Sequence, residues 1–219
     1  MPATKVYLLP GLGLDHNIFQ RLKIQAAEHH YLDWIVPEEQ ESIQSYAQRL
    51  AAPLQDDPRS AVLIGHSFGG IMAQEIANRL PVRKVIIISS IKSPQENPTR
   101  FKMLSLLGLH RYFSKELTLR TFPFWATSFG YPDSDSQRLF TASVARQDNR
   151  YLQWALQQLS NWQGIDNTLI DLAHLHGEED RTFPIGLIRQ PVTIVKGAGH
   201  LMLFHRAEEI SSLINELLL

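Results

Sequence analysis

In the first half of the chain the apolar run Ala61-Val62-Leu63-Ile64 passes without a break into Gly65-His66-Ser67-Phe68-Gly69-Gly70. A continuous apolar run of this kind suits a strand covered on both faces rather than one half exposed to water. The stretch that follows, Ile71 to Leu80, reads as a helix closed by Pro81. A buried strand entering a helix through a glycine-flanked turn belongs in a parallel sheet with helices on both faces.

The rest of the chain repeats the alternation. Lys5–Leu9 is a short β-type run ahead of the turn Pro10-Gly11-Leu12-Gly13, and residues 16–28 carry Ile18, Phe19, Leu22 and Ala26 at helical spacing. Tyr31–Val36 reads as a second strand stopped by Pro37, and a helix from about Ser42 sets Ile43, Tyr46, Ala47 and Leu50 on one face. Lys84–Ser90, Thr168–His176 and Val192–Val195 read as further strands, and Phe204 to Leu218 as the last helix. The expected fold is α/β, with about six mostly parallel strands. Right-handed crossovers then bring every loop that follows a strand to one edge of the sheet.

Residues 91–166 break the pattern, with turn signals and helical patches but no convincing strand. The expectation is one domain over residues 1–219 with a helical cap inserted at about 91–166. Eight of the 20 aromatic residues fall between positions 91 and 131. They either pack the insertion onto the main body or line an apolar pocket, for which Phe101, Phe124 and Trp125 are candidates together with His16.

Composition narrows the function. With 44% apolar and 20% charged residues the chain is of ordinary globular type. Its 21 Lys/Arg against 22 Asp/Glu argue against a broad field for nucleic acid or anionic membrane. The absence of cysteine excludes a thiol nucleophile, Cys-ligated zinc and iron–sulfur clusters. No metal or other cofactor is expected. The N-terminal apolar run is too short for a signal-peptide core, and no run approaches a membrane span, so a cytoplasmic protein without membrane insertion is expected.

Ser67 is the candidate nucleophile. A serine hydroxyl needs an adjacent base and an exposed geometry. In G-x-S-x-G between strand and helix the glycines permit a tight turn that lifts the oxygen clear of the backbone. Of nine histidines, His200 follows a strand in Gly197-Ala198-Gly199-His200 and reaches the same sheet edge. His66 adjoins Ser67 but leaves the turn in another direction, and His16 is the competitor for the role of base. An acid must orient the imidazole, and Glu178, Glu179 and Asp180 all follow the preceding strand, where spacing does not choose among them. The N–H groups of Phe68 and Leu12 are candidates for binding an oxyanion. Gly11-x-Gly13 lacks the third glycine of a dinucleotide-binding turn, His16 standing in its place.

With L-L-P-G-L-G, G-H-S-F-G-G, a helical cap, L-H-G-E-E-D and G-A-G-H in order, the chain resembles the α/β-hydrolase superfamily along nearly its whole length. The resemblance implies Ser67, Asp180 and His200 as catalytic triad, Asp180 as its acid over the two glutamates, and Leu12 and Phe68 as oxyanion hole. Two departures stand out. Pro10 takes the place where the family often has a histidine, and the first recognisable strand begins at Lys5, so the two leading strands of the full family sheet are not expected. An intact triad favours a serine hydrolase that cleaves a small carboxylic ester or thioester through an acyl-enzyme. The alternatives are a C–C bond hydrolase or lyase using the same residues, and a catalytically silent ligand receptor. An ordinary histidine titrates near ~6.5, so activity that uses one as base falls on the acid side of neutrality.

Overall fold

The structure is a computed structural model and describes residues 4–26, 28–166 and 168–219. Six strands, β1 (Lys5–Leu9), β2 (Glu28–Tyr31), β3 (Ala61–His66), β4 (Lys84–Ile88), β5 (Leu172–Gly177) and β6 (Thr193–Val195), form one sheet in the order β2-β1-β3-β4-β5-β6. Every neighbouring pair is parallel.

The continuous apolar runs supply two cores because side chains alternate across a strand. Tyr7, Leu9, Leu63, Val85 and Ile87 pack on one face with α1 (Ile43–Leu50), α2 (Phe68–Ala77) and α6 (Asn149–Asn161). Val6, Leu8, Val62, Ile64, Ile86 and Ile88 pack on the other with residues of α5 (Ser134–Arg146), α7 (Met202–His205) and α8 (Ala207–Leu218). Between β4 and β5 the chain also carries α3 (Thr99–Leu106) and α4 (Lys115–Trp125), and no strand among the described residues of 91–166. Polar caps set several helix starts. Ser42 accepts from the N–H of Ser45 ahead of α1, Asp133 from those of Asp135 and Ser136 ahead of α5, and Asp148 from that of Arg150 ahead of α6.

Several sequence expectations are corrected. Residues 16–28 do not form a helix: a single turn, His16–Phe19, is followed by irregular chain, and Ala27 lies outside the described residues. Side chains of α8 hold this segment, Ser211 Oγ accepting from the N–H of Lys23 at 2.9 Å and Asn215 Oδ1 from that of Gln25 at 2.7 Å. The backbone bonds a helix would have closed internally are made to a neighbouring element instead. The second strand is Glu28–Tyr31, not Tyr31–Val36. The apolarity of 32–36 belongs to a loop, in which Trp34 Nε1–H donates to Gly11 O and the Ile35 N–H donates to Tyr46 Oη. The last helix is divided at Arg206, whose φ of −124° and ψ of 37° end α7 before α8 begins. None of the helices described is long and apolar enough to cross a membrane.

Candidate active site

Ser67 stands between β3 and α2 at φ 53° and ψ −119°, a conformation that costs an L-residue roughly 1–2 kcal/mol. Close packing imposes it. A Cβ on Gly65 would lie 2.6 Å from Gly70 Cα and closer still to Gly69 O. A Cβ on Gly69 would strike the carbonyls of Leu9 and Pro10. The glycines therefore let α2 sit directly against β3 and against the turn after β1. Ser67 N–H donates to Ile88 O at 2.9 Å, and Ser90 Oγ donates to Ser67 O at 2.7 Å, so β4 holds the turn from its other side.

The three residues singled out from spacing and resemblance meet here. His200 Nε2 lies 3.1 Å from Ser67 Oγ, and His200 Nδ1 lies 2.8 Å from Asp180 Oδ2. With Asp180 ionised, Nδ1–H donates to the carboxylate and Nε2 is left to accept the serine proton. All three side chains are buried. Asp180 Oδ1 accepts from the N–H groups of Thr182 and Phe183, at 2.7 and 2.9 Å. Burial works against the charge of Asp180, but the His200 and His176 rings and these backbone donors outweigh it and hold the carboxyl below its usual range. Glu178 and Glu179 are exposed, and Glu178 Oε2 accepts from the Gly197 N–H instead.

The competing histidines are occupied elsewhere. His66 is buried and its Nε2–H donates to the carbonyl of His200 at 3.1 Å, so it braces the backbone of the His200 loop. His16 is nearly half exposed, with Nδ1 2.5 Å from Asp33 Oδ2, and it lines no cavity with Ser67. Its proposed place in the pocket is thus corrected. Asp15 caps the turn by accepting from Asn17 N–H, and it also holds Arg146 and Ser143, which leaves His16 directed outward.

Among the described residues neither the Leu12 nor the Phe68 N–H has a hydrogen-bond acceptor within the chain. The first follows β1 and the second begins α2, where the first-turn N–H groups lack helical partners. The contact of Gly69 with Leu9 and Pro10 brings these two turns together.

A cavity of about 670 Å³ opens over Ser67 and His200. Leu12 and Gly13 form part of its wall, and much of the rest comes from helices α3 to α6, including Phe101, Trp125, Phe140 and Leu152, and from the segments that join them. Phe101 and Trp125, two of the candidates for a pocket, line this cavity. Phe124 does not: it is 88% exposed, because the helical turn that directs Trp125 inward directs its neighbour outward. Phe140, Val144, Leu152 and Leu156 were missed, although Phe140/Val144 and Leu152/Leu156 each stand four apart on one helix face. Trp125 packs edge-on to Phe122 and Phe140, with centroids 4.9 and 5.4 Å apart. Among the described residues no acidic or basic side chain lines the cavity apart from His200.

Behind the acid lies a second, wholly buried histidine pair. His176 Nε2–H donates to Phe183 O at 2.8 Å, which leaves its Nδ1 to accept from His174 Nε2–H at 3.1 Å. Burial depresses both, His174 to about 2, and brings His66 to about 3. The folded chain thus keeps three histidines neutral that the unfolded chain protonates below about pH 6.5. Stability is therefore expected to fall as pH drops below that value, by up to about 1.4 kcal/mol per pH unit for each ring. Asp180 acts in the same direction once the pH falls below its unfolded value near ~3.9. Urea unfolding at pH 5 and pH 7.5 checks this, a lower midpoint being expected at pH 5; equal midpoints would contradict it.

Comparison with known proteins agrees with this architecture. A profile described as the alpha/beta hydrolase family matches residues 6–213. Among curated proteins none matches the sequence. An esterase from Exiguobacterium antarcticum superposes with a TM-score of 0.74 at 16% identity, over 98% of this chain and 91% of that one. An epoxide hydrolase from Bacillus megaterium gives 0.73 at 13% identity, over 98% and 93%. A putative non-heme bromoperoxidase from Mycobacterium tuberculosis gives 0.70 at 14%, over 98% and 91%. At such identities these likenesses speak for the fold alone, whereas the profile spans most of the sequence. On that match, and with its parallel six-stranded sheet, the chain belongs to the alpha/beta hydrolase family.

Proposed function

We propose that this protein is a serine hydrolase that cleaves carboxylic esters or thioesters with an apolar, uncharged acyl chain. The observation that carries the reading is Ser67 Oγ at 3.1 Å from His200 Nε2, beneath a cavity lined almost wholly by apolar side chains. Ser67 Oγ attacks the acyl carbonyl while His200 takes its proton, and Asp180 stabilises the imidazolium that forms. The Leu12 and Phe68 N–H groups bind the oxyanion. Collapse of the tetrahedral adduct breaks the bond to the leaving group, which takes the proton from His200. Water then attacks the acyl-enzyme with His200 as base, the acid is released, and the proton returns to Ser67. A hydrolase of C–C bonds using the same residues remains the second reading.

Intact mass after exposure to a fluorophosphonate tests the reading directly. One adduct on the wild type and none on Ser67→Ala is expected; no adduct on folded wild-type protein would overturn it in favour of a silent receptor. The shape and chemistry of the cavity also set a substrate trend. Each buried methylene is worth about 0.8 kcal/mol, roughly fourfold in kcat/KM. Turnover of nitrophenyl esters should therefore rise from acetate through butanoate to hexanoate and beyond, until the cavity is full. A dicarboxylic half-ester of matched length should be a poor substrate, because its second carboxylate would be buried without a partner. A flat chain-length profile would contradict an acyl site in this cavity.

A further inference from the structure

The rim of the cavity is unlike the rest of the surface. Of 13 large apolar side chains that stand exposed among the described residues, seven lie between positions 103 and 124: Met103, Leu106, Leu107, Leu109, Tyr112, Leu117 and Phe124. None of the eight residues of α3 is buried. Met103 and Leu106 are spaced along one face of α3, whose C-cap is Leu107, and Leu117 and Phe124 along one face of α4. Leu109, Tyr112 and Leu117 belong both to this exposed surface and to the lining of the cavity over Ser67. Three of the seven therefore stand at the cavity itself.

The same segment is basic. Residues 99–125 hold Arg100, Lys102, Arg111, Lys115 and Arg120 against the single acid Glu116. The near-neutral balance of the whole chain conceals this asymmetry. Arg111 borders a cleft beside Glu38 and Glu39, and Arg100 donates to the carbonyls of Arg181 and Thr182, but none of the five makes an ion pair among the described residues. Lys102 stands one helical turn from Leu106, and Arg120 lies between Leu117 and Phe124 on their shared face.

We propose that the α3–α4 rim docks the protein on an anionic lipid surface, from which an acyl ester enters the cavity. The docking stands on the patch itself; the entry of an ester rests on the hydrolase reading. Large apolar side chains ringed by cations are what a headgroup boundary takes up, the apolar tips entering the acyl region and the cations facing lipid phosphate. A second copy of the chain fits less well, since a two-fold contact through this face would set the same unpaired cations against each other. An acidic protein would answer the charge but would leave the outward reach of Leu106 and Phe124, 86% and 88% exposed, without a purpose.

Co-sedimentation of Ser67→Ala protein with phosphatidylcholine vesicles, with and without phosphatidylglycerol, tests the docking without any turnover. Binding is expected with the anionic vesicles and is expected to be far weaker without them. In that background Lys102→Gln with Arg120→Gln should weaken it about fivefold for each charge removed. Leu106→Glu with Phe124→Glu should abolish it, while the same pair in otherwise wild-type protein leaves hydrolysis of a soluble butanoate ester unchanged. Equal partition to both vesicle types, or binding indifferent to either pair, overturns the proposal. So does a dimer in sedimentation equilibrium that Leu106→Glu with Phe124→Glu dissolves, because a second copy then covers the patch. If the fluorophosphonate finds Ser67 unreactive but vesicle binding persists, the hydrolase reading fails and the docking surface stands.

Discussion

Ser67→Ala is expected to lower kcat by about a million-fold while the protein stays folded. In the proposed mechanism the magnitude follows from the cooperative action of nucleophile, base and acid, since removal of the serine would leave only substrate binding and the oxyanion donors. Little structure depends on the hydroxyl: the turn is held by the Ser67 N–H to Ile88 O and by Ser90 Oγ to Ser67 O, both of which alanine retains. A companion variant separates strain from chemistry. Ser67→Gly places at φ 53° the one residue without a Cβ penalty there, so it should be equally inactive yet no less stable than the alanine variant. Steady-state kinetics with urea unfolding of both proteins reads the result. Substantial activity in either variant would remove Ser67 from the mechanism, and a glycine variant markedly less stable than alanine would mean that the conformation is not strained.

Gly69→Ala should have the largest effect on folding. The added Cβ would meet the carbonyls of Leu9 and Pro10, lying 2.7 Å from Leu9 C, and these are backbone atoms that cannot rotate away. Relief requires α2 to move off β1, which opens the core that Phe68, Ile71 and Met72 share with Leu9 and Leu63. Overpacking in a well-filled interior costs typically 1–3 kcal/mol where side chains can adjust, and here the obstruction is main chain. A loss above about 4 kcal/mol is expected, a large part of the marginal stability of a domain. The variant should accumulate as insoluble protein or melt far below the wild type, and Gly199→Ala, where a Cβ meets nothing within 4 Å, is the matched control. A Gly69→Ala protein as stable as that control would show that the turn is less tightly packed than described.

The origin of the site is clearest where sequence and structure are set side by side at particular residues. Chain order alone carried Ser67, Asp180 and His200 a long way. Each follows an apolar strand, and in a parallel sheet with crossovers of one hand such loops share an edge. The choice between Asp180 and its glutamate neighbours was not legible in spacing, because it depends on which side chain of the loop turns inward to the Thr182 and Phe183 N–H groups. Equally hidden was the brace from His66 to the His200 carbonyl, a contact between residues 134 apart in the chain.

By itself the sequence determined the parallel sheet, the glycine-flanked turn at Ser67 and the helical character of 91–166, since these rest on local periodicity and on backbone freedom at individual residues. Tertiary structure decided the rest. It made 20–26 an irregular segment pinned by α8 rather than a helix, moved the second strand to Glu28–Tyr31, and turned Phe124 outward while Trp125 and Phe140 closed the cavity. It also left Lys102, Leu106, Arg120 and Phe124 exposed on α3 and α4, out of a composition that is nearly neutral overall. The physical reason is common to all of these. Local patterning states which residues leave water, but the partner that covers each of them comes from elsewhere in the chain, and only folding brings the two together.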